Sequence, residues 1–140
     1  MKKILLCVLV ALCVMASVQP VLADQAEDFK RQCETVRYED VARNPDKYEG
    51  RNITFTGEVF QIEEKDSLIG FIIHQDNSEK LFSNDSWAAL YMRKQGEGRI
   101  LEGDHIKVYG ACKGLVTYEN IFGGNVTVPS IQIRHYERLN

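Results

Sequence analysis

Positive charge is in short supply in this sequence. Its 17 Lys and Arg residues face 20 Asp and Glu residues, and the formal net charge is −3. Nucleic-acid-binding proteins draw most of their affinity from basic side chains on phosphates. The balance argues against a nucleic-acid partner, although a local basic patch is conceivable from five residues: Arg93, Lys94, Arg99, Lys107 and Lys113.

Motifs of catalysis and metal binding are also missing. The chain has no G-x-S-x-G and no phosphate-cradling P-loop. His74, His105 and His135 lack H-x-H or H-x-x-x-H spacing, whereas zinc needs three or four converging ligands. We therefore expect a protein that is not an enzyme and that holds neither a metal nor a cofactor.

One acidic cluster, formed by Glu63, Glu64 and Asp66, lies in a predicted loop. Paired carboxylates serve acid–base chemistry only in a cleft that shifts their pKa values. Charged residues in a hairpin loop usually keep it solvated. A small hydrolase built on this cluster is the third of three function hypotheses.

The amino terminus has the layout of a secretory signal peptide, predicted here as residues 1–23. Two lysines precede an apolar run from Ile4 to Met15, and Pro20 and small residues precede a cleavage point after Ala23. A spanning helix needs about 20 apolar residues, and this run is shorter. We expect an exported protein, periplasmic or secreted, with no stable membrane anchor after cleavage.

The chain contains 4 cysteines, and loss of the leader would leave Cys33 and Cys112. A pair of cysteines in a chain sent to an oxidising compartment predicts a disulfide. Such a bridge would close a long loop, which the chain-entropy model values at about 4–5 kcal/mol. Two thiols, or redox or metal chemistry, are the alternatives.

Residues 24–50 are predicted to be an N-terminal helical segment. Phe29, Cys33 and Val36 follow helical spacing, which favours a helix over residues 25–43. Asn44 precedes Pro45 and would end it, because the residue before a proline avoids helical angles.

From residue 51 the apolar pattern takes a period of two, which is typical of strands. In "RNITFTGEVFQI" the parity changes beside Gly57, as expected of a bulged and bent strand. A second change at Pro129 predicts a bulge or an edge position. "LIGFIIHQ" and "HIKVYG" are further strands, and Gly123-Gly124 between β-rich runs predicts a hairpin.

Residues 87–94 are ambiguous from pattern alone. Trp87, Leu90, Tyr91 and Lys94 fit a helix, whereas Trp87, Ala89, Tyr91 and Arg93 alternate as a strand would. The remaining segments predict one all-β domain over residues 51–140, a small barrel with an added N-terminal helix.

Three runs carry a resemblance to a known family: "YEDVARNPDKYEGRNITFTGEV", "RILEGDHIKVYG" and "GLVTYENIFGGNVTVPSI". They resemble the small exported bacterial OB-fold proteins described as tRNA-anti-like. The resemblance implies a five-stranded Greek-key barrel and a strand at residues 87–93. Residues 64–87 match the family pattern only loosely, so the resemblance implies no particular ligand.

OB barrels bind extended polymers on exposed aromatic rings. Trp87, Tyr91 and Tyr118 are the candidate ligand face, with the alternative that some of these rings fill the barrel. The leading hypothesis is an exported, non-catalytic binding module for a protein, peptide or glycan. A single-stranded nucleic-acid-binding protein is the alternative.

Overall fold

The computed structural model describes residues 19–80 and 84–139. Residues 1–18 of the predicted leader lie outside this range. The contacts within the protein divide the chain into two units, Met1–Gln32 and Cys33–Asn140. Within the described residues, no helix combines the length and the apolar character that crossing a membrane requires.

The described part of the first unit is helix α1, Gln19–Gln32. The prediction of one continuous helix over residues 25–43 is wrong at residues 33–37, whereas residues 38–43 are helical again. Glu34–Thr35 form a short strand, β1, which pairs in parallel with Ile53 and Thr54. Backbone pairing thus replaces helical hydrogen bonds at this point, where Thr35 and Val36 are β-branched residues that favour strands.

The second unit continues with two short helices and five long strands. Helix α2 spans Tyr38–Arg43, and α3 spans Pro45–Tyr48 with the proline in its first turn. The strands are β2 Asn52–Lys65, β3 Leu68–Gln75, β4 Ser86–Met92, β5 His105–Glu119 and β6 Asn125–Arg138.

The five long strands form a closed barrel. Strand β2 pairs antiparallel with both β3 and β5, β3 with β4, and β5 with β6, while β4 and β6 pair in parallel. The strand order β2-β3-β4-β6-β5 closes through the β2–β5 pairing. This is the predicted OB-like, five-stranded mixed barrel, with β1 as an additional strand.

Side chains alternate between the barrel interior and its outer surface. In β3, Ile69, Phe71 and Ile73 are buried, and in β4 the buried residues are Trp87, Ala89 and Tyr91. Strand β4 confirms the strand interpretation for residues 87–92, and Arg93 follows its end. Other core residues are Ile53, Phe55, Val59, Ile106, Val108, Cys112, Ile131 and Ile133.

Bulges in three strands, β2, β5 and β6, bend the sheet so that it can close. In β2 the register shifts between Val59 and Gln61, at Phe60 and not beside Gly57. Gly57 has another role, because a Cβ there would lie 2.4 Å from the carbonyl oxygen of His74. In the β5–β6 pair the shifts lie at Tyr109/Gly110 and Cys112/Gly114.

The predicted hairpin at Gly123-Gly124 is confirmed, with β5 ending at Glu119 and β6 beginning at Asn125. Pro129 pairs with Leu115 without a shift of its own. It lies one residue before β6 begins to pair with β4 at Ser130, so it holds an edge position.

Candidate binding site

Trp87 lies inside the barrel and not on a ligand face. Its side chain is 0% exposed and stacks on Phe55, with ring centroids 4.4 Å apart. The indole Nε1 donates a hydrogen bond to Gln75 Oε1 at 2.8 Å, and Gln75 Nε2 donates to Val36 O at 2.8 Å. The ring therefore anchors the core, and its assignment to the ligand face is wrong.

Tyr91 is also a core residue, since its exposed fraction is 3%. Its hydroxyl donates to the Glu97 carboxylate, 2.6 Å from Oε2, and its ring meets Tyr136 edge-on at 5.3 Å. Burial, and then the hydrogen bond to Glu97, raise the pKa of the phenol. Its assignment to the ligand face is wrong as well, because residues of odd number in β4 point inward.

Tyr118 is the one of the three predicted rings that lies at the surface. Its side chain is half-buried near the end of β5, and it lines the groove that is described below.

The outward side chains of β3 and β4 form an apolar surface, which we call the outer face. Leu68 pairs with Met92, Gly70 with Leu90, and Ile72 with Ala88 across the two strands. Leu90 is 43% exposed and Met92 is 60% exposed. A contiguous exposed patch of large apolar side chains is typical of a binding surface.

Phe60 extends the outer face onto β2. As the extra residue of the bulge, it has no partner in the β2–β3 register. It is 56% exposed and stacks on His74, with centroids 4.4 Å apart. The bulge also turns Gln61 outward beside Ile72, because one inserted residue reverses the parity that follows.

A groove of about 230 Å³ runs across the outer face. Its floor is Gly70, Ile72 and Ala88; one wall comes from β2, and the other from Tyr118 and Glu119 of β5. A Cβ on Gly70 would have only Glu63 O within 4 Å, at 4.0 Å. The small floor residues therefore leave room for an apolar side chain from a ligand.

The charges around the groove are negative. Glu63 and Glu119 line it and are exposed, and Glu58 is exposed on the same strand as Glu63. Exposed carboxylates repel phosphate groups. The groove thus suits a neutral or cationic ligand better than a nucleic acid.

A second, polar pocket of about 130 Å³ lies between α2 and the segment after β3. Its buried carboxylate, Asp85, accepts a hydrogen bond from Asn77 Nδ2 at 3.1 Å and lies 3.8 Å from Lys80 Nζ. Burial, and then Asp85, raise the pKa of Tyr38, which lines the pocket. The polar groups are held by one another, as in a structural network.

The acidic cluster is placed differently from the prediction. Glu63 and Glu64 belong to β2, and only Asp66 lies in the turn to β3, with φ at 57°. Arg99 and Arg93 reach the Glu64 carboxylate at 3.4 and 3.9 Å. Glu64 is thus an ion-pair partner of two members of the proposed basic patch.

His74 and His105 flank Glu58 of β2 in one row of the sheet, whereas His135 lies on β6. His74 contacts Phe60, His105 contacts the Asp76 carboxylate, and His135 pairs with Tyr109. In residues 19–80 and 84–139, no group of three or more His, Cys, Asp or Glu side chains is placed to hold a metal ion.

Cys33 and Cys112 are both thiols in the structure, the first partly exposed and the second buried. Cys112 belongs to the barrel core, and its sulfur contacts the backbone of Gly114. The Cys33 sulfur contacts the backbone of Gly110. The structure does not contain the predicted disulfide; its formation on export stays a prediction.

The two thiols should differ in reactivity. Burial raises both pKa values, so each has less thiolate at neutral pH than an ordinary cysteine, and labelling should accelerate as the pH rises. In reduced, folded protein we expect iodoacetamide to modify Cys33 slowly and Cys112 only after unfolding. Mass spectrometry of timed samples measures this.

Labelling without a reductant then tests the bridge itself. If protein recovered from an oxidising compartment takes up no label even in denaturant, the disulfide exists. Equal native labelling of both cysteines would contradict the burial of Cys112.

Sequence reasoning missed most of the outer face. Phe60, Leu90 and Met92 form it, together with Ile72 and Leu68. A signal was present, since in β4 the even-numbered residues Ala88, Leu90 and Met92 are apolar although the odd-numbered ones already form the core. A strand that is apolar on both faces indicates a covered or binding surface.

The fold and this face define a class: a small OB-like barrel whose outward sheet surface is apolar and grooved. Neither known protein-family models nor curated proteins match the chain.

Proposed function

We propose that this protein is a non-catalytic binding module that acts outside the cytoplasm and holds an apolar segment of a protein or peptide in the groove of its outer face. The observation that carries the proposal is the set of solvent-facing Phe60, Leu90 and Met92 beside a groove floored by Gly70 and Ala88. The signal-like leader supports export, and the resemblance to exported OB-fold proteins agrees with both parts.

The chemistry of the face favours a polypeptide over the other polymers. Stacking of sugars or bases requires exposed rings, and the burial of Trp87 and Tyr91 leaves only Phe60 and Tyr118 as aromatic rings among the residues described on this face. The face is mainly aliphatic, and methionine adapts its shape to irregular apolar partners. The carboxylates of Glu63 and Glu119 would in addition attract basic residues that flank an apolar peptide segment.

The test is a binding measurement with a groove-filling variant. Peptides selected from a random displayed library should be rich in apolar residues. Gly70→Leu should weaken their binding by about tenfold or more, because one lost apolar anchor costs at least about 1.4 kcal/mol. Fluorescence anisotropy of the labelled peptides measures the affinity.

Gly98→Leu is the matched control, since Gly98 is exposed in a loop and a Cβ there meets no atom within 4 Å. Equal affinity of selected peptides for the two variants would remove the groove from the site. Submicromolar binding of single-stranded DNA with a steep salt dependence would favour the nucleic-acid alternative. Binding of polysaccharides that Tyr118→Ala abolishes would favour a glycan.

A further inference from the structure

The tip of the β5–β6 hairpin exposes two large apolar side chains. Ile121 is 75% exposed and Phe122 is 90% exposed, the two highest values among the large apolar residues that the structure describes. Between Gly114 and Ile133 the only charged residue is Glu119. An uncharged apolar tip loses little by leaving water, so it is suited to insertion into an apolar site.

The tip has a defined conformation. Asn120 Oδ1 accepts hydrogen bonds from Phe122 N and Gly124 N, each at 3.0 Å. Gly123 N donates to Asn120 O at 3.0 Å, and Asn120 N donates to Gly124 O at 2.8 Å. Gly123 adopts φ of 80°, which suits glycine. Four hydrogen bonds thus hold the two side chains outward before any partner arrives, which lowers the entropy cost of binding.

The same molecule carries a groove of sufficient volume to receive one of these side chains. The groove is apolar along Gly70, Ile72 and Ala88, and its volume of about 230 Å³ admits a phenyl ring. Phe122 cannot easily enter its own groove, because it lies only three residues from Glu119, which forms the groove wall, and the turn that joins them is fixed by Asn120.

We infer that two copies of this chain pair by exchanging their hairpin tips, with Ile121 and Phe122 of each copy seated in the groove of the other. Each chain offers one projection and one recess, so a twofold arrangement satisfies both at once and closes the assembly at two. An aromatic side chain buries about 150–250 Å², and the exposed Leu90 and Met92 beside the groove would be covered with it.

This inference rests on the proposed function, since the same groove receives the tip and the peptide. It therefore predicts competition: an apolar peptide that binds the groove separates the dimer, and dimer formation weakens peptide binding by the same factor. The tip sequence "NIFGGN" also indicates which peptides should bind the groove, namely short uncharged segments that contain an aromatic residue.

The experiment is sedimentation velocity of the purified protein over a wide concentration range. The wild type should dimerise. Phe122→Asp, which removes the projection, and Gly70→Leu, which fills the recess, should each weaken dimerisation by about tenfold or more. Gly98→Leu should dimerise as the wild type does. The emission spectrum of Trp87 verifies that each variant is folded.

A mixture of Phe122→Asp and Gly70→Leu gives a sharper test. One intact tip and one intact groove remain between them, so the mixture should form more dimer than either variant alone. A wild type that stays monomeric, or a dimer that Phe122→Asp leaves unchanged, would overturn the inference. A monomeric wild type that floats with phosphatidylcholine vesicles through Phe122 would assign the tip to a lipid surface instead.

The two proposals fail separately. Phe122→Asp retains its groove, so selected peptides should bind it at least as tightly as the wild type. Peptide binding without any dimer would leave the proposed function standing and remove the tip exchange. A dimer that depends on Phe122 while no peptide binds would remove the proposed function alone.

Discussion

Trp87→Ala is expected to lower the free energy of unfolding by about 3–5 kcal/mol, the usual cost of deleting a buried large aromatic side chain. The deletion leaves a cavity against Phe55 and takes the hydrogen-bond donor from Gln75 Oε1. Small domains have only about 5–15 kcal/mol in total. Urea unfolding followed by far-ultraviolet circular dichroism measures the loss.

Two further variants separate the causes of that loss. Trp87→Phe keeps an aromatic ring against Phe55 but lacks the N–H group, so it should cost less, about 1–3 kcal/mol. Phe122→Ala removes a ring that is 90% exposed and should change stability by no more than about 0.5 kcal/mol. If Trp87→Ala unfolds at the same urea concentration as the wild type, the indole does not anchor the core.

Trp87 was predicted to be a ligand-binding ring, so the effect of Trp87→Ala on stability must be separated from its effect on binding. Any loss of binding in Trp87→Ala would reflect partial unfolding and not a lost contact. Gly70→Leu is the cleaner substitution, since the residue faces outward and the position has room for a Cβ.

The barrel could be predicted because its signals are local. The nearly all-apolar run "LIGFIIHQ" and the alternation in "HIKVYG" are each typical of a strand, and Gly123-Gly124 supplies the turn that a hairpin requires. The parallel pairing of β4 with β6 joins segments that are distant in the sequence, and no residue pattern in either strand predicts it. The resemblance to OB-fold proteins implied a five-stranded barrel and a strand at residues 87–93, but it did not name this pairing.

The candidate site was harder to predict because period-two alternation does not say which face is inside. Both faces of β4 are apolar, so the pattern did not show which one is buried, and Trp87 and Tyr91 were predicted to contact a ligand. In the structure these two rings lie in the core, because burying a large aromatic ring removes more apolar area from water than burying a smaller side chain does. The outward position of Phe60 depends on where the bulge in β2 lies. The bulge was predicted beside Gly57, but it lies three residues later.

The end of α1 was missed for a related reason. Helical spacing of Phe29, Cys33 and Val36 is real, but pairing of Glu34 and Thr35 with β2 is a tertiary interaction that the local pattern does not contain. Val36 is buried in the barrel unit as a consequence.

Gly110→Ala is expected to disrupt the barrel where the backbones of β5 and β6 lie close together. A Cβ on Gly110 would lie 2.1 Å from the carbonyl oxygen of Gln132 and 2.9 Å from Ile133 Cα. Both are backbone atoms beside the bulge at Tyr109/Gly110, so no side-chain rotation relieves the clash. Overpacking in a core costs about 1–3 kcal/mol and more where the backbone must move.

The register of the β5–β6 pair makes the loss larger than a local strain. In the barrel β5 pairs with β2 and β6 pairs with β4, so the β5–β6 pairing connects the two halves of the sheet. A change in the β5–β6 register at Gly110 would therefore open the closed sheet. We therefore expect at least about 3 kcal/mol of destabilisation, or failure to fold, measured by thermal and urea unfolding. Gly98→Ala, with open space around its Cβ, should unfold with the wild type; if Gly110→Ala does so too, the strands at this bulge do not approach as closely as the structure has them.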